Sequence, residues 1–219
     1  MEEMVQKQPM PWEQRNQVGL FKALWETVKQ VLLHPGAFFG NLEIKKSIKD
    51  SYLFYLIISV PVAIITTSFS LLFKHSPDIA LVSPSVLSTL IIITIFVVIP
   101  VAIFITAAVI HLGVLIFGGK GGYKATLNVV SYASSASVFS LIPLVGGLIS
   151  WAWYIVVAII GLKRVHKIGT GRAIGAYFII PVILLVIVGA LLITGIVAER
   201  KMKQATGQVN VKPAATLVK

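Results

Sequence analysis

The side chains able to do chemistry in this 219-residue chain are few and do not converge. His34, His75, His111 and His166 stand far apart with no cysteine or carboxylate at chelating spacing, so no metal site is expected. The absence of cysteine also removes thiol nucleophiles and disulfides. Ser131, Ser134, Ser135, Ser137 and Ser140 crowd one stretch, yet no Gly-x-Ser-x-Gly turn and no intramembrane His and Asp pair accompanies them. Gly118-Gly119-Lys120-Gly121-Gly122 is as glycine-rich as a phosphate loop but lacks the wider Walker spacing and a preceding strand. No catalytic residue and no cofactor is expected, and the chain reads as non-enzymatic.

The polar residues that remain suit packing better than catalysis. Asn128 and Tyr132 lie four apart, able to bond across helices or to line a polar cavity. Ser134 and Ser137 belong to a run of small residues, with pairs such as Ser131 and Ser135 or Ala133 and Ser137 at the spacing that lets helix backbones approach closely in lipid. His111, near the end of an apolar stretch, reads as a neutral, hydrogen-bonded histidine near the interface, a gating role being the alternative.

The elements that must position these residues follow from composition. With 57% hydrophobic and 12% charged side chains and a mean hydropathy of +0.90, a water-soluble domain is excluded. The sequence predicts an all-α integral membrane protein, a bundle of about five transmembrane helices preceded by an amphipathic interfacial helix. Residues 1–17 read as a flexible cytoplasmic arm without the apolar core of a secretory signal. Residues 18–51 form an amphipathic and juxtamembrane segment, in which Phe21, Leu24, Trp25, Val28 and Leu32 recur at helical spacing up to His34-Pro35-Gly36. Lying in the headgroup plane suits this helix better than spanning, packing on the bundle being the alternative.

The membrane domain is expected over 52–198, with a basic tail over 199–219. Tyr52–Phe73 carries no formal charge and makes the first span. Val86–Phe117 is too long for a bilayer core of about 30 Å and has Pro100 near its middle as the expected kink. Residues 125–162 divide at Pro143-Leu144-Val145-Gly146-Gly147, and a last span runs to Ala198. The segment 125–142 is expected to be the central span or, alternatively, a re-entrant one. With five spans and the N-terminus inside, 13 Lys and Arg lie inside and 6 outside; with four, 14 and 5, so the positive-inside rule does not separate them.

Charge is uneven along the chain. Residues 1–51 hold seven Lys and Arg against six acids, and residues 52–219 hold twelve against two, within a net charge of +11. The expected partners are the lipid bilayer and its anionic headgroups, with other membrane proteins or a second copy as further candidates. Nucleic acid is not expected, because no soluble module presents the charge.

The combination of Gly118-Gly119-Lys120-Gly121-Gly122-Tyr123-Lys124-Ala125-Thr126, the serine and tyrosine span, Ile142-Pro143 with Val145-Gly146-Gly147, Trp151 and Trp153, and GLKRVHKI over 161–168 resembles prokaryotic members of the Yip (Ypt-interacting protein) family. The resemblance covers about Pro11 to Val197. It implies five spans, a cytoplasmic N-terminus and a multi-pass location in the prokaryotic plasma membrane. The Asp-Leu-Tyr-Gly-Pro element of eukaryotic members is absent ahead of the first span, where Pro35-Gly36-Ala37-Phe38-Phe39 stands. A Rab-type GTPase partner is therefore not carried over. The expected role is membrane organisation or partner recruitment, with Phe21, Trp25 and Val28 inserted at the lipid surface and Lys45, Lys46 and Lys49 drawing anionic headgroups. A small-solute transporter or channel is the alternative, favoured by Pro61, Pro100, Pro143 and Pro181 in or at spans.

Overall fold

The computed structural model describes residues 10–43, 48–73 and 83–209, which contain helices and no strand. A 3-10 turn over Pro11–Gln14 leads into α1 (Arg15–Val18), α2 (Leu20–Leu33) and α3 (Pro35–Gly40). Then come α4 (Ile48–Phe73), α5 (Pro84–Ile93), a π-helical stretch Thr94–Val98, α6 (Ile99–Ile116), α7 (Gly122–Ala133), a 3-10 helix Ser134–Leu141, α8 (Gly146–Val165) and α9 (Thr170–Val209). Among the described residues four helical stretches are long and apolar enough to cross a membrane: Ile48–Leu71, Ser85–Ile116, Gly146–Val165 and Thr170–Lys203. The chain forms two compact units, Met1–Phe178 and Ile179–Lys219.

Local chemistry explains the breaks. Ser83 caps α5 by accepting from the Val86 N–H, and Pro84 occupies the first turn, where no backbone donor is lost. The distortion expected at Pro100 falls one turn earlier. A proline lacks the N–H that the preceding turn needs, and the widened π stretch Thr94–Val98 takes up the mismatch. Helix α6 ends where Gly118 adopts φ +75°, with Gly119 N–H bonded to Val114 O at 2.9 Å and Gly118 N–H to Leu115 O at 3.2 Å. This is a Schellman closure, and α8 ends the same way: Lys167 has φ +55° and the Ile168 N–H reaches Lys163 O at 3.2 Å.

The segment expected as the central span does lie at the centre. Every residue from Ala125 to Ala136 is buried, and α7 packs on α4, α6 and α8. It is not one α-helix, however, because the chain tightens to 3-10 geometry at Ser134. Side chains three apart then eclipse, so pairs four apart that straddle Ser134 no longer share a face. Ser134 stays buried and bonds back to Ser131 O at 2.6 Å, whereas Ser137 is only half-buried.

Residues 10–17 correct the reading of a flexible arm. Trp12 is fully buried, its indole N–H donates to Asp50 O at 2.8 Å, and Arg15 pairs with the Asp50 carboxylate at 2.7 Å. An indole needs both an apolar pocket and an acceptor; it meets the Phe54 ring at 5.5 Å and the Asp50 carbonyl at the start of α4. The helical part also exceeds its expected end, since α9 continues to Val209 through residues assigned to the tail, where Glu199 and Lys203 form an i, i+4 ion pair.

Candidate functional site

Two groups of buried polar side chains and one exposed helix face carry what functional chemistry the structure shows. The first group joins the α6–α7 loop to the α8–α9 loop through His166, which is fully buried. Gly121 N–H donates to His166 Nδ1 at 3.1 Å, so the neutral ring carries its proton on Nε2. That N–H meets Thr126 Oγ1 at 2.9 Å, and the Thr126 hydroxyl then turns its own proton to His111 Nδ1, also at 2.9 Å. Lys120 N–H closes the junction on His166 O at 3.3 Å. Burial first, and then the neighbouring His111 ring, hold His166 down to about 4 from its ordinary 6.5.

Two glycines of this loop, Gly119 and Gly121, lie against the same ring, while Gly118 and Gly122 serve positive φ angles of +75° and +70°. A Cβ at Gly121 would stand 2.8 Å from His166 Nδ1, and one at Gly119 3.1 Å from the His166 Cβ. The glycine-rich run is a seat for an imidazole rather than a phosphate cradle. His111 is thus hydrogen-bonded at the end of α6. The sequence reading missed His166 and Thr126; their signal was a histidine just past an apolar span and a loop with four glycines in five residues.

The second group runs along α7 and the 3-10 helix. Asn128 Oδ1 accepts from Ser51 Oγ at 2.5 Å, tying α7 to the start of α4. Tyr132, one turn further on, also faces α4, its ring lying 5.0 Å from both Phe38 and Phe54 in an aromatic cluster. Ser131, Ser135 and Ser137, with Thr27 of α2, present buried hydroxyls without a hydrogen-bond partner. Beyond Ser137, a cleft of about 190 Å³ opens between Ile65, Thr66, Phe69 and Ser70 of α4 and the turn Ser140–Leu144.

The exposed face belongs to α2. Phe21 is 84% and Trp25 62% exposed, while Ala23, Thr27, Val28, Val31 and Leu32 are buried. Val28 therefore corrects the expectation that it enters lipid. It lies in the half of the helix that packs on α7 and the 3-10 helix, and Trp153 of α8 holds that half by donating to Leu32 O at 3.3 Å. Lys49 lies in the first turn of α4, and Lys45 and Lys46 lie outside the described residues. Among the described residues no three His, Cys, Asp or Glu side chains gather around a common point.

Apolar helices of spanning length and an all-helical fold define an all-α, multi-pass membrane protein in contact with lipid. The chain belongs to the Yip1 family, the Yip1-domain model matching residues 29–193. Comparison with curated proteins and with solved structures finds no match.

Proposed function

We propose that this Yip-like protein is a non-enzymatic organiser of the cytoplasmic leaflet, gripping it with α2 while five spans anchor the bundle. The observation that carries this reading is the split of α2. One face is locked to the bundle by Trp153 and by buried Thr27, Val28 and Val31, and the other presents Phe21 and Trp25 with Lys22 and Lys29 exposed beside them. An amphipathic helix with aromatic and basic residues outward is suited to the boundary between headgroups and acyl chains.

Five crossings are supported by the loops. The hydrogen bonds of Lys120 and Gly121 to His166 bring the start of α7 and the end of α8 to one end of the bundle. If α8 crosses, the chain between them must cross as well. Its 12 α-helical and 8 3-10 residues rise about 34 Å in line, enough for a core of about 30 Å. The junction end carries Lys120, Lys124, Lys163, Arg164, Lys167 and Arg172, which favours the cytoplasm.

The test is reconstitution into vesicles containing anionic lipid. Wild type is expected to narrow or cluster the vesicles, and Phe21→Ser with Trp25→Ser to leave them as protein-free controls; identical vesicles with both proteins would overturn the reading. A solute route is a second reading, favoured by the unpartnered hydroxyls of Ser131, Ser135 and Ser137 leading toward the cleft at Ser140. Solute flux without any change of vesicle shape would select it.

A further inference from the structure

We infer that the junction of the α6–α7 and α8–α9 loops is a binding site for an anionic phospholipid, separate from the surface grip of α2. Four exposed cations meet there from two loops: Lys120 and Lys124 on one, Lys167 and Arg172 on the other. Their backbones are held together, since Lys120 N–H bonds the carbonyl of His166, the residue before Lys167. Arg172 is fixed by the first turns of α9, which cross α6 so closely that a methyl group on Gly113 would overlap the Ala176 carbonyl, while the Phe117 ring covers Gly175.

Among the described residues no ion pair is formed by these four cations. Between Asp78 and Glu199 the sequence contains no acidic residue, so neither loop nor the helices α6 to α8 that carry them supply a carboxylate. Exposed like charges held at fixed spacing repel one another, and the negative charge shared by the two non-bridging oxygens of a phosphate relieves that repulsion while accepting several charge-assisted hydrogen bonds.

The surface beside the cations supplies the rest of a lipid site. Leu112, Leu115 and Ile116 of α6 and Ile174 and Phe178 of α9 are exposed on either helix of the Gly113–Ala176 crossing. A cationic rim above an apolar wall at a span end matches a phosphate headgroup with its acyl chains alongside, which a soluble phosphate cannot satisfy. The inference rests on the junction facing a leaflet, as in the proposed function, but not on α2.

The experiment uses full-length protein in a neutral detergent, with phosphatidylglycerol or phosphatidylcholine of identical chains added, and reads the melting temperature and the lipid adducts in native mass spectrometry. Phosphatidylglycerol is expected to raise Tm by several degrees more than phosphatidylcholine and to add one or two retained lipids. Lys120→Gln, Lys167→Gln and Arg172→Gln together should remove that difference while leaving the phosphatidylcholine value unchanged. Phe21→Ser with Trp25→Ser should retain it, which separates this site from the α2 grip. Should the triple variant not fold, wild type at high salt serves instead, since screening should abolish the difference. Equal shifts with both lipids, a full shift in the charge variant, or a shift indifferent to salt would overturn the inference, and inorganic phosphate reproducing the shift would do so as well.

Discussion

The two ends of the helical bundle differ in how they handle polarity. At the junction end, two helices close by Schellman turns, a buried imidazole ties their loops together, and six cations stand around it without an acid in the same stretch of chain. At the opposite end, the turn after the 3-10 helix has no charged residue, Leu144 is fully exposed at φ +68° and lines an open cleft, and Ser137 carries an unpartnered hydroxyl. One end is satisfied internally and charged externally, and the other is apolar outside with polar groups unmatched inside. A membrane protein inserted in one orientation needs such a difference, because the charge fixes which end stays in the cytoplasm. The comparison also teaches that buried polarity is not one property: at His166 every ring nitrogen is used, and at Ser131 and Ser135 the hydroxyls are left over.

The largest expected effect comes from breaking the junction. His166→Ala leaves Gly121 N–H and Thr126 without partners and empties a ring-sized space, and it should cost about 4 kcal/mol, seen as a large fall in Tm in detergent. The same ring gives a pH signature. Its folded pKa of about 4 lies below the ordinary 6.5, so its contribution is complete above pH 6.5 and declines as the pH falls toward 4. Wild type minus His166→Gln should show that decline; parallel curves would mean the ring is not buried neutral.

A smaller effect is expected at the centre. Ser134→Leu forces a large side chain into a position 5% exposed and should cost about 2 kcal/mol, measured as thermal stability. An unchanged Tm would place 122–141 at the periphery. The smallest effect sharpens the contrast of the two ends. Lys167 holds a left-handed conformation that glycine adopts freely, so Lys167→Gly should stabilise by about 1 kcal/mol in neutral detergent. It should also weaken the preference for anionic lipid, a combination that a purely structural lysine would not produce.

The apolar spans and the buried position of residues 125–136 were legible in the sequence because charge-free runs and small residues act through composition, which needs no coordinates. The Phe21 and Trp25 face was legible from helical spacing, but Val28 was not, since periodicity names a stripe without saying which part another helix covers. Trp12 was hidden for the same reason: its acceptor, the Asp50 carbonyl, lies 38 residues away. The His111, Thr126 and His166 chain draws on three elements separated by 15 and 40 residues, so only the fold brings it together. The tightening at Ser134 has no marker in residue type at all.

In the proposed topology the junction faces the cytoplasm and 122–141 crosses back to the other side. The cysteine-free chain allows a direct measurement: single cysteines at Thr170, beside the junction, and at Leu144, in the opposite turn, exposed to a membrane-impermeant thiol reagent in intact cells. Labelling is expected at Leu144→Cys, and protection at Thr170→Cys until the membrane is permeabilised. Labelling at Thr170→Cys with protection at Leu144→Cys would contradict it by placing the basic junction on the far side of the membrane, and the same response at both positions would mean that 122–141 does not cross.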